Sequence, residues 1–228
     1  MENHQLNDLF RAIIFDFNGV IINDEPLQLE LLRQVILEEK MTFVDGDYQR
    51  YYLGQNDWAC FMTALTRHSR PESSDHEYIR SLIKRKTGYY HQAVSSQNLL
   101  FAGLPELITR LGDQYPLAIA SGALREEIEV ALTKGGIRDQ FQLIIAAEDV
   151  ERSKPDPEGF LKAWQGLQQR IPDLTPAECL VIEDSIAGVT AAKTAGMRCL
   201  AVTTSFSAPE LSHADWISPG VAEWFRRL

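Results

Sequence analysis

The chain has 228 residues, 45% of them hydrophobic and 24% charged, with a formal net charge of −10. That apolar content supplies a core for one large domain or two modest ones and excludes a disordered chain. The acidic balance argues against a nucleic-acid partner and against an anionic membrane, since both are held by clustered Lys and Arg. An anionic substrate therefore has to be gathered by a local site. The three cysteines, Cys60, Cys179 and Cys199, lie far apart without metal-ligand spacing and read as structural thiols in a reducing cytoplasm. The sequence contains no signal-peptide pattern and no long apolar run, so a soluble, unexported protein is expected.

In chain order, the first element is the apolar run 12–15, which delivers Asp16 into a turn at Gly19. From Asn23 to about residue 96 no buried strand is read, only helix-like segments at 26–40, 57–68 and 75–92. This stretch is too long for one βαβ crossover and too apolar for disorder, so it reads as an inserted helical domain. Strand-like runs then fall at 117–120, 143–147, 179–182 and 199–202, with a short edge strand near 215–217. Helical segments at 123–135, 157–170 and 186–196 separate them. Such alternation predicts an α/β fold with a mainly parallel, Rossmann-like sheet covered on both faces. The expected domains are 1–22 plus 96–228 for the sheet and 23–95 for the helices, joined near 23–25 and 95–99.

Four motifs sit at predicted strand ends. Asp16 ends the first strand, where open α/β sheets bind ligands. Ala120-Ser121-Gly122 ends the second. A hydroxyl with free N–H groups at a helix start is an anion site, and the same pattern is also an ordinary N-cap. In Ser153-Lys154-Pro155-Asp156-Pro157 two prolines stiffen the loop around Lys154. Ile182-Glu183-Asp184-Ser185 places two adjacent acids after an apolar strand. They repel each other and Asp16 unless a cation sits among them, and Mg²⁺ suits such carboxylates. A charged helix N-terminus is the competing reading for Glu183.

In this order the motifs resemble the haloacid dehalogenase superfamily, in the branch of β-phosphoglucomutase and phosphoglycolate-type phosphatases with a helical cap. The resemblance implies phosphoryl transfer through an aspartyl-phosphate on Asp16, with Ser121, Gly122 and Lys154 binding phosphate. Lys154 also neutralises the nearby carboxylates. It further implies a Mg²⁺ site made by Asp16, the backbone carbonyl of Asn18 and Asp184, with Glu183 in support. One letter departs from the pattern: the family has an acid–base Asp where this chain has Asn18. A carboxamide neither protonates a leaving oxygen nor activates water. The Asn18-Gly19 pair is also the pairing most prone to deamidation.

Further departures fall in the predicted cap. Gln28 stands where the mutases have a histidine. Gly54-Gln55-Asn56-Asp57 occupies the specificity loop, where the sugar-phosphate mutase has an arginine for a second phosphate that Asp57 would repel. Lys86 matches a basic residue of the mutase cap, although a helical Lys is usually solvated. The expected function is a Mg²⁺-dependent phosphatase acting on a small phosphorylated metabolite, weakened at the Asn18 step. The alternative is a phosphometabolite-binding or regulatory protein on the same scaffold, and the third reading is a sugar-phosphate mutase.

Overall fold

The structure is a computed structural model that describes residues 9–52, 55–96 and 99–226. Gly54 of the specificity loop, residues 97–98 of the second linker and the first eight residues of the predicted sheet domain lie outside the described residues. The chain divides into two compact units, residues 1–23 with 98–228, and residues 24–97.

The first unit holds a six-stranded sheet built from β1 (Ala12–Phe15), β2 (Leu117–Ala120), β3 (Phe141–Ile145), β4 (Cys179–Glu183), β5 (Arg198–Val202) and β6 (Trp216–Ser218). Their order is β3-β2-β1-β4-β5-β6, and every neighbouring pair is parallel. Strands buried on both faces explain why β1, β2 and β4 read as near-continuous apolar runs. β3 begins two residues earlier than the sequence suggests. A register shift opposite Leu117/Ala118 leaves Gln142 exposed and masks the strand's period. Residues 146–147 instead enter a tight turn, where Ala146 N–H donates to Asp149 Oδ2 at 2.7 Å.

Among the described residues, five α-helices accompany the sheet: α4 (Leu104–Gly112), α5 (Arg125–Lys134), α6 (Glu158–Leu167), α7 (Ile186–Thr194) and α8 (Val221–Phe225). A shared core joins Ile14 and Val181 to Phe160, Leu167, Val189 and Ala192, so α6 and α7 pack side by side on one face of β1 and β4. The small side chains of α7 let it lie close on the sheet.

The second unit is helical, with α1 (Glu25–Glu38), a π-helical turn (Tyr48–Tyr52), α2 (Asp57–Arg67) and α3 (His76–Ser96). Its own core contains Leu32, Ile36, Tyr52, Phe61, Leu65 and Leu82. Against expectation, Lys86 on α3 is only 5% exposed. Its Nζ donates to Asp57 Oδ1 at 2.6 Å and to Gln28 Oε1, while Gln28 Nε2 donates to Asp24 Oδ2 at 2.8 Å. A buried ammonium requires such partners. Among the described residues of the chain, no helix is long and apolar enough to cross a membrane.

Candidate active site

The singled-out residues lie on loops leaving the carboxyl edge of the sheet. Asp16 follows β1, and its N–H continues the β1–β4 pairing by donating to Ile182 O at 2.9 Å. From β1 the chain builds one side of the sheet through β2 and β3, then the other through β4, β5 and β6. The β1–β4 boundary is therefore the point where strand order reverses, the place where open α/β sheets bind ligands.

Glu183 is the last residue of β4 and is fully buried. Its Oε2 accepts the N–H groups of Asp184 and Ser185, each at 2.7 Å, and the Ser185 hydroxyl at 2.9 Å. Ser185 also caps α7, accepting Gly188 N–H at 3.0 Å. A β-carbon on Gly188 would stand 1.7 Å from Glu183 Oε1, so the first turn of α7 has to be bare there.

Lys154 arrives from the loop between β3 and α6. Glu158 folds that loop by accepting the N–H groups of Glu151 at 3.1 Å and Arg152 at 3.0 Å. Lys154 Nζ donates to Asp16 Oδ1 at 2.6 Å and Glu183 Oε1 at 2.7 Å, and lies 4.9 Å from the centroid of the Phe160 ring. One ammonium thus joins the ends of β1 and β4.

Asp184 is buried beside Asp16 and Glu183, with one carboxylate oxygen from each of the three within 4.8 Å of the others. Two residues that the sequence reading did not select reach this region from the β5 loop. The Ser205 hydroxyl donates to Asp184 Oδ2, and the Thr204 hydroxyl donates to Gly19 O at 2.6 Å. Their position just past the carboxyl end of a buried parallel strand was the signal available for finding them. Gly19 has φ +70°, and a β-carbon on it would come 1.9 Å from Asp184 Oδ2. Gly19→Ala is accordingly expected to displace the Asp184 carboxylate and to lower the melting temperature, as read from melting curves of parent and variant.

Asn18 is half-buried in the Phe17–Ile22 turn, where Gly19 N–H donates to Ile22 O at 2.8 Å. Ser121 and Gly122 follow β2, one strand from Asp16, and among the described residues they make no hydrogen bond to the carboxylate cluster. The Ser121 hydroxyl accepts Ala123 N–H at 3.2 Å. The N–H groups at the start of α5 are not all free, as had been expected. Leu124 N–H donates to Glu127 Oε2 at 3.2 Å, and Arg125 N–H donates to Glu148 Oε1 at 3.2 Å. Carboxylates of the chain itself thus already accept from these two N–H groups.

The electrostatics follow from three buried carboxylates sharing one ammonium. Burial pushes the Asp16 carboxyl up to about 6, with Lys154 opposing and Glu183 adding to the rise. Burial raises Asp184 well above the usual carboxylate range, and the charges of Glu183 and Asp16 add to it. For Lys154, burial alone would lower the ammonium, but Asp16 and Glu183 outweigh it and hold the group above its ordinary value. The donor set is all oxygen and carries excess negative charge, which fits a hard divalent cation such as Mg²⁺.

Residues 13–202 match the model of a protein family described as haloacid dehalogenase-like hydrolase. The chain belongs to that family. It is 26% identical to validoxylamine A 7'-phosphate phosphatase of Streptomyces hygroscopicus subsp. limoneus, over 94% of this chain and 96% of the relative. It is 31% identical to the chloroplastic 5-amino-6-(5-phospho-D-ribitylamino)uracil phosphatase of Arabidopsis thaliana, over 90% of this chain and 52% of that protein. Such relatives place it among the family's phosphohydrolases. A solved β-phosphoglucomutase from Clostridium difficile superimposes with a TM-score of 0.77 over 96% of both chains, at 21% identity, a likeness of fold.

Proposed function

We propose that the chain is a Mg²⁺-dependent phosphatase of small phosphorylated metabolites, with Asp16 as the nucleophile and an aspartyl-phosphate as the intermediate. The observation that carries this reading is the placement of Lys154 Nζ at 2.6 Å from Asp16 and 2.7 Å from Glu183. An ammonium against the nucleophile keeps it ionised at neutral pH and stands ready to neutralise an oxygen of the incoming phosphoryl group. Glu183 has both oxygens committed to hydrogen bonds, so its part is to hold Lys154 and to add negative charge. The Ser121 hydroxyl and Gly122 N–H are assigned to the phosphate. Asp16, Asp184 and the backbone carbonyl of Asn18 are assigned to Mg²⁺, with Glu183 in support. When bound, the ion supplies positive charge against the phosphate oxygens and the clustered carboxylates.

In the first step an Asp16 oxygen bonds to phosphorus as the ester P–O bond breaks, and the departing alkoxide takes its proton from solvent. In the second step water displaces phosphate from Asp16. The Asn18 carboxamide helps neither proton transfer, so the enzyme is slow on esters of poorly acidic alcohols. The helical unit is assigned to substrate selection. Within it Asp57 already neutralises Lys86, which disfavours a second phosphate and with it the mutase reading. The three buried free thiols fit a reducing cytoplasm.

Phosphate release from a panel of small phosphomonoesters, with Mg²⁺ and with EDTA, tests the proposal. Release that requires Mg²⁺ is expected, and equal release in EDTA would overturn the metal assignment. Asn18 also favours a second reading, a phosphometabolite-binding protein. Saturable binding of a panel member without release of its phosphate would establish that reading instead.

A further inference from the structure

Asp184 accepts the Ser205 hydroxyl on Oδ2, and among the described residues no donor reaches its Oδ1. The Thr204 hydroxyl lies 3.5 Å from the same Oδ2, but its single proton is directed to Gly19 O at 2.6 Å. Thr204 therefore ties the β5 loop to the Gly19 turn, and Ser205 alone donates to the carboxylate. The loop itself is fixed from below, because Thr203 N–H donates to Ser218 O at 3.0 Å and so prolongs the β5–β6 pairing. The space for this contact is provided by Gly19, where a β-carbon would meet Asp184 Oδ2 at 1.9 Å and Ser205 Oγ at 3.2 Å. Three neighbouring backbone segments thus converge to hold one oxygen of one carboxylate.

Mg²⁺ takes single oxygens in a strict octahedron, whereas Ca²⁺ accepts carboxylates through both oxygens in looser, larger shells. A carboxylate with one oxygen held by a fixed hydroxyl is confined to offering the other. We propose that Ser205 is a positioning residue that confines Asp184 to a single ligand oxygen and thereby sets a preference for Mg²⁺ over Ca²⁺. The inference rests on the assignment of Asp184 to the cation site made above.

Calorimetric titration of the purified full chain with Mg²⁺ and, separately, with Ca²⁺ tests it, in the parent, Ser205→Ala, Ser205→Thr and Asp184→Asn. Ser205→Ala is expected to weaken Mg²⁺ by about 10-fold, the usual effect of removing a ligand's hydrogen-bond partner. Ca²⁺ affinity should stay level or tighten as Oδ2 is released, so the Mg²⁺/Ca²⁺ affinity ratio falls. Ser205→Thr, which keeps the hydroxyl, should restore the ratio. If Ser205→Ala leaves the ratio unchanged, or weakens both ions equally, the proposal fails even if Asp184→Asn weakens Mg²⁺ as a ligand should. If Asp184→Asn leaves Mg²⁺ affinity intact, the cation assignment itself fails, and the inference with it.

Discussion

Asp16→Ala is expected to lower phosphate release by about 10⁴-fold or more, in line with losses seen when a covalent nucleophile is removed. The rest of the site should survive the change. Lys154 keeps its 2.7 Å contact with Glu183, so no buried ammonium is left without a partner. The change also removes one of three carboxylates crowded around that ammonium, and crowding with burial is what raises Asp16 and Asp184. The variant should therefore melt no lower than the parent in metal-free buffer. Two measurements decide the matter, the rate on the best substrate of the panel and the melting temperature in EDTA. A parent-level rate from verified pure protein would remove Asp16 from the nucleophile's role. A lost rate accompanied by a large drop in melting temperature would show that the side chain serves the fold instead.

The sheet was readable because its strands are buried on both faces. Ala12–Phe15 and Leu117–Ala120 stand where their apolar runs end, since nothing polar intrudes to blur the boundary. β3 was misplaced by two residues because a register shift put Gln142 into solvent in mid-strand. α4 went unnoticed although Leu104, Leu107, Ile108 and Leu111 repeat with helical spacing and are all buried. Its nine residues lie between a linker and a strand, where a short amphipathic run resembles a loop.

Within the site, the residues at strand ends were legible because position and chemistry coincide. Asp16, Glu183 and Asp184 are acids that follow apolar strands, and Lys154 sits in a proline-stiffened loop. Ser205 and Thr204 were not legible, because serine and threonine after a strand are common and only the fold reveals which carboxylate they meet. Lys86 was misread for a similar reason. A lysine on a helix is usually solvated, and its burial depends on Asp57 and Gln28, distant in sequence. The commitment of Arg125 N–H to Glu148 likewise links residues 23 apart and has no local signature.

Asn18→Asp is expected to raise turnover of sugar phosphates by about 10² to 10⁴-fold, the usual contribution of general acid–base catalysis. That factor corresponds to about 3–5 kcal/mol of barrier. The gain should depend on the leaving group. Aryl and acyl phosphates release an oxygen that departs without protonation, so their first step already proceeds and the added acid changes it little. Sugar phosphates release an alkoxide, and for them the acid matters most. The backbone carbonyl of residue 18 is common to both side chains, so Mg²⁺ affinity should change little, and calorimetry checks that separately. Deamidation of Asn18 would make the same residue and confound the comparison. It requires attack by the Gly19 nitrogen, whose N–H is held at 2.8 Å by Ile22 O in a turn with φ +70° at Gly19. Peptide mapping of aged parent protein is therefore expected to find Asn18 intact. Equal acceleration of aryl and sugar phosphates by Asn18→Asp would mean that the parent is limited not by the missing acid of the first step but by the missing base of the second, which all substrates share. A rise confined to sugar phosphates would show that nucleophile, phosphate donors and cation site are all competent and that a single carboxamide holds the rate down.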